Sequence, residues 1–207
     1  MSVRESVLAG LREARGPVTP TPAPVHPPLS PASSVDAMAE RFALRAADLG
    51  ARVQQVERES LVEAVAEVCA RHRVRELLLP PGLPAAWAPP GVELLTDRGT
   101  LAHRRLGEAD GVLTGCALAI AETGTVLLDH APDQGRRALT LLPDLHICVV
   151  LRERVVADLP EAVGAVAAAA AGRRPVTLIS GPSATSDIEL ERVEGVHGPR
   201  RLEVVVC

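Results

Sequence analysis

Lysine is missing from this 207-residue sequence, so all 22 basic side chains are arginines. That excludes a Schiff-base lysine, a P-loop lysine and any lysine amine nucleophile within these residues. Tyrosine is missing too, and there is one phenylalanine and one tryptophan. Single-stranded nucleic acids need aromatic platforms to stack on, and a net charge of −4 leaves no basic stripe for a phosphate backbone. No nucleic-acid partner is expected. Cysteine occurs at 69, 116, 148 and 207, never as a CxxC pair, so no metal site and no iron–sulfur cluster is expected in this chain. Cys116 and Cys148 lie in or beside apolar strands, where thiols pack as small hydrophobes. No apolar run reaches the roughly 18 residues of a membrane span. The first residues, Met1 to Val7, lack the apolar stretch of a secretory signal. The reading is a cytoplasmic protein with no membrane partner. A GxGxxG fingerprint and a GxSxG elbow are also missing, which argues against a nicotinamide dehydrogenase and a serine hydrolase.

What is present suits one globular domain: 47% of residues are hydrophobic, and the length allows a sizeable core. Residues 1–15 read as a helical arm, with Val3, Val7, Leu8 and Leu11 forming a partial apolar stripe. Residues 16–33 are a proline-rich linker, extended and tether-like. From 34 to 207 helices and strands alternate. Helices are expected at 35–49, 60–72 and 159–171, with short ones at 100–106 and 135–141. Strands are expected at 51–56, 76–79, 92–95, 118–121, 125–128, 145–151, 176–179 and 202–206. Such alternation predicts an α/β fold with a mainly parallel sheet flanked by helices. In open sheets of that kind ligands sit beyond the carboxyl ends of the strands.

Three segments carry candidate chemistry. The first runs from Ser180 to Glu189 and contains Gly181, Ser183, Thr185, Ser186 and Asp187. It follows an apolar run, 175–179, that reads as a buried strand. Hydroxyls, freed turn amides and a helix starting near Thr185 to Asp187 would together hold an anion. The alternative is a helix cap in which Ser186 and Glu189 form a capping box. The second segment is Glu122-Thr123-Gly124-Thr125, a carboxylate at a turn between two apolar runs. It reads equally as an acid/base site or as a hairpin turn with a solvated glutamate. The third joins Arg136 and Arg137 to Asp144 and His146. Either arginine could grip a carboxylate or phosphate in fork geometry, and Asp144 could orient the His146 imidazole. Surface salt bridges and strand entry are the plainer account. His197, between Gly195 and Gly198, is a further candidate ligand contact.

At these segments the chain closely resembles the LUD-domain family, and within it the lactate-utilization protein C group. The resembling blocks are Ala119 to Thr125, Gly135 to Leu139 with Leu142 to His146, Ser180 to Glu189, and Gly195 to Pro199. The resemblance implies a fold like that of ribose-phosphate isomerases, CoA transferases and 5-formyltetrahydrofolate cyclo-ligases. It also implies a role in oxidising L-lactate to pyruvate beside iron–sulfur partner proteins, which would hold the redox clusters. On this basis Glu122 and His146 are candidate catalytic residues. Thr123, Gly124, Thr125, Arg136, Ser180, Gly181, Ser183, Thr185, Ser186, Asp187 and His197 are candidate contacts to a small carboxylate or phosphate ligand. CoA transferases use a glutamate at a comparable Glu-x-Gly turn. An autonomous transferase or isomerase, or a non-catalytic scaffold for the iron–sulfur partners, therefore stands as the alternative.

Overall fold

The computed structural model describes residues 3–15, 34–172, 174–185, 193–194 and 198–207. Helices α1 (Val3–Arg15) and α2 (Val35–Asp48) lie on either side of the proline-rich stretch 16–33, which falls outside the described residues. Helix α2 begins where the Ala37 amide donates to the Ser34 hydroxyl oxygen at 3.2 Å. Its buried residues, Ala39, Phe42, Ala43 and Ala46, recur at three- and four-residue spacing and form one apolar stripe. The chain continues through β1 (Arg52–Gln55), α3 (Leu61–His72), β2 (Glu76–Leu79), β3 (Glu93–Thr96), α4 (His103–Gly107) and β4 (Gly111–Thr114). Then come β5 (Leu118–Ile120), β6 (Thr125–Leu128), β7 (Leu145–Val150), β8 (Val155–Val156) and α5 (Leu159–Ala171). The remaining strands are β9 (Thr177–Ile179), β10 (Ala184–Thr185), β11 (Val193–Glu194) and β12 (Arg201–Val206).

Six strands form a parallel sheet in the order β1-β12-β7-β4-β2-β3. Every residue of β7 is buried, which is why its sequence, Leu-His-Ile-Cys-Val-Val, shows no polar-out alternation. The strand still has two faces. Leu145, Ile147 and Val149 pack with Leu61, Val65 and Val68 of α3. Cys148 and Val150 pack with Ala39, Phe42 and Ala46 of α2 and with Ala119, Val126 and Leu128 of a second sheet. That second sheet is mixed, in the order β8-β5-β6-β9. Alternation along β7 therefore turns His146 toward the second sheet, on the side of Cys148 and Val150.

Two glycines press the second sheet and its loop onto α2. Gly124 ends the β5–β6 turn at φ +65°, and a Cβ there would collide with the backbone of Arg45 and Ala46. Gly181 has φ +81°, and its Cβ would collide with the Leu49 carbonyl at the helix end.

The expected α/β class and the parallel sheet are present, and several expectations change in detail. Strand β4 is a central strand at 111–114 where none was expected; four residues between Asp110 and Gly115 are too few to show a period. The expected helix at 135–141 is a single 3-10 turn over Arg137–Thr140. The run before Ser180 is not buried: β9 is an edge strand with Leu178 54% exposed. Thr185 does not open a helix but stands in β10, paired antiparallel with Val193 of β11. The four cysteines are free thiols and buried, and burial pushes the Cys69 thiol up to about 11. No helix among the described residues is long and apolar enough to cross a membrane.

Candidate functional site

A cleft of about 140 Å³ opens where the two sheets meet. Arg137 and Thr140 line it from the 3-10 turn, His146 from the start of β7, and Leu202 with Pro199 from the start of β12. Ile179, Ser180, Gly181 and Ser183 close it from the end of β9 and the loop beyond. The cleft thus lies at the amino ends of β7 and β12. The carboxyl-end rule does not hold here, because the closing wall comes from the second sheet rather than from a crossover of the first. The Ser183 amide donates to the Pro199 carbonyl at 2.9 Å, stapling the two loops that face each other across it.

Two adjacent arginines have different surroundings. The Arg136 guanidinium grips the buried Asp97 carboxylate at 2.7 and 3.3 Å and donates to the Leu101 carbonyl at 2.6 Å. It is not among the residues that line the cleft. Arg137 does line it, half-buried. It has no carboxylate partner among the described residues, and donates only to Thr140, at 3.0 Å to Oγ1 and 3.3 Å to the carbonyl. Burial lowers the Arg137 pKa from its ordinary value, the mark of a cation short of compensation. A partly desolvated guanidinium lining a cleft is suited to a carboxylate or phosphate.

His146 is 1% exposed, and its Nε2 lies 2.8 Å from the hydroxyl of Thr114, which is fully buried on β4. Thr114, not Asp144, is its partner; the Asp144 carboxylate is exposed and faces Arg200 at 3.7 Å. Burial, reinforced by the positive Arg137, pushes the His146 imidazole down to about 4 from the usual 6.5. The ring is therefore neutral at physiological pH. In the unfolded chain it takes up a proton near 6.5, while the folded chain resists until about 4, so acid favours unfolding across that window. Stability should fall by on the order of 3 kcal/mol between pH 7 and pH 4 from this group alone. Urea unfolding of the wild type and His146→Gln at pH 7, 5.5 and 4.5 measures this, the wild type showing the steeper loss. Equal slopes would show that the histidine is not held neutral.

A chain of hydroxyls links the Glu122 turn to the cleft. Thr123 donates to Thr125 at 2.8 Å, and the buried Thr125 lies 2.9 Å from the Ser180 hydroxyl. The neighbouring loop is braced by His130, with Nδ1 2.8 Å from the Gly135 carbonyl and Nε2 2.9 Å from the Thr177 hydroxyl. One imidazole therefore ties the segment that leads to Arg137 to the strand that leads to Ser180.

Of the residues singled out in the sequence, Arg137, His146, Ser180, Gly181 and Ser183 meet at the cleft, and Thr123 and Thr125 stand behind Ser180. Glu122 is half-buried, outside the cleft lining, and without a side-chain partner among the described residues. Gly124 serves the contact with α2. Ser186, Asp187, Glu189 and His197 lie outside the described residues. Thr114 and Thr140 were not anticipated: a threonine in an unassigned strand and another after a pair of arginines give no local signal.

Fold and side-chain geometry together define an α/β domain in which a parallel six-stranded sheet and a smaller mixed sheet flank a small cleft with a few polar side chains in a largely apolar lining. Residues 39–207 match the LUD domain, and the chain belongs to the LUD-domain family. It is similar to a Deinococcus radiodurans protein named lactate utilization protein C, with 49% identity over 199 residues, 96% of this chain and 89% of that one. A Bacillus subtilis protein of the same name is 33% identical over 107 residues, 50% of this chain and 44% of its own. The crystal structure of a DUF162 family protein from Deinococcus radiodurans matches with a TM-score of 0.73 and 42% identity, covering 84% of this chain and 99% of that one.

Proposed function

We propose that this chain is a subunit of an L-lactate utilization system and that its cleft binds a small carboxylate anion. The observation that carries the reading is Arg137, a half-buried cation with no carboxylate partner among the described residues, lining a cleft beside a neutral histidine. The names of the relatives supply the metabolic setting. A cleft of about 140 Å³ accommodates an acid of three or four carbons. Arg137 holds the carboxylate, aided by Ser180, Ser183 and the Gly181 backbone, and His146 addresses the ligand's remaining oxygen. Oxidation of L-lactate to pyruvate releases two electrons, which in this reading pass to iron–sulfur partner proteins in the cytoplasm. The autonomous-transferase reading has less support, because Glu122 does not line the cleft.

The test is lactate-dependent dye reduction in extracts of cells lacking the gene. Wild-type protein should restore the activity, whereas Arg137→Gln and the Ser183→Ala, Thr185→Ala double variant should not. Undiminished activity in the deletion strain would detach the chain from lactate. Full activity with Arg137→Gln would remove the cleft from that role.

A further inference from the structure

We infer that the cleft is built for the 2-oxo form of a small monocarboxylate and holds it more tightly than the corresponding 2-hydroxy acid. This rests on the anion-binding reading above and adds the ligand's class. Thr114 is fully buried, and the His146 ring is its side chain's partner. A threonine hydroxyl has one hydrogen, and leaving it buried without an acceptor is costly, so it donates to Nε2. The neutral ring then carries its own hydrogen on Nδ1. A second chain of hydroxyls leads to Ser180. Thr123 donates to Thr125, so the buried Thr125 hydrogen goes to Ser180, and the Ser180 hydrogen is left over. Arg137 contributes N–H groups that Thr140 does not use up.

Three of the described lining side chains thus bring hydrogens to the cleft: Nδ1–H of His146, O–H of Ser180 and the guanidinium of Arg137. A 2-oxo acid brings acceptors only, two carboxylate oxygens and a carbonyl, and can satisfy all three. A 2-hydroxy acid adds a hydrogen of its own, which turns to its carboxylate and takes up acceptor capacity that the site's donors would otherwise use. The charge also favours a monoanion. Arg137 is the one cationic side chain among the described residues that line the cleft, and burial keeps His146 from supplying a second charge. A phosphate dianion would leave one negative charge uncompensated in a half-buried site.

The test uses the purified full-length chain, titrated calorimetrically at pH 7 with pyruvate, L-lactate and inorganic phosphate. Pyruvate should bind about tenfold more tightly than L-lactate, with phosphate weaker than pyruvate. L-lactate binding as tightly as pyruvate would overturn this inference while leaving the carboxylate site standing. Tighter phosphate binding would overturn the monoanion assignment, and no binding by any of the three would remove the site itself. Long-range nitrogen–proton NMR of the imidazole tests the basis without any ligand. His146 should be protonated on Nδ1, and protonation on Nε2 would overturn the account. Thr114→Val removes the hydroxyl that fixes the tautomer, so the preference for pyruvate over L-lactate should shrink toward unity in that variant.

Discussion

Replacing Arg137 with glutamine should weaken small-carboxylate binding by ~30-fold or more, on the order of 2 kcal/mol for a charge-assisted contact. The thermal midpoint should stay the same or rise. The two effects part company because Arg137 pairs with no carboxylate among the described residues, so its partial desolvation is a cost that a bound anion would offset. Arg136→Gln is the control with the opposite profile. It strands the Asp97 carboxylate, 2% exposed, and should destabilise the fold by about 3 kcal/mol. Titration calorimetry and thermal unfolding of both variants decide the matter. Unchanged affinity in Arg137→Gln, or a fall in its midpoint like that of Arg136→Gln, would make Arg137 a structural residue.

Gly124→Ala should cost at least ~3 kcal/mol of stability, the sum of a left-handed backbone imposed on a side chain and a methyl forced against a helix backbone. At this position the strain and the collision with Arg45 and Ala46 cannot be relieved separately, since moving the turn away from α2 also unseats Thr125 from Ser180. Denaturant unfolding gives the number. A change below about 0.5 kcal/mol would show that the turn does not rest on α2 as described.

Periodicity in the sequence was enough for much of the frame. The three- and four-residue spacing of α2 and α3 and the uninterrupted apolar run of β7 locate those elements within a residue or two. Strand β4 escaped because its four residues carry no period, although it lies between β2 and β7. The site was legible by residue type and less so by assignment. Arg136 and Arg137 are chemically identical in the sequence, and what separates them is Asp97, 39 positions away. His146 was visible, but its partner Thr114 is 32 positions distant, on the strand that was not seen. Short-range neighbours such as Asp144 are what a linear reading offers, and long-range pairing overrules them.

The position of β12 bears on how the protein is made. This strand leaves the ribosome after the other eleven described here, yet it lies between β1 and β7, and it is the strand partner of β1 in the parallel sheet. Pro199 and Leu202 of the cleft wall arrive with it. A nascent chain that stops short of residue 198 therefore holds β1 unpaired and one flank of the otherwise buried β7 open, surfaces that invite association with other chains. The cleft wall and the cover over β1 and β7 are completed together, when β12 joins the sheet.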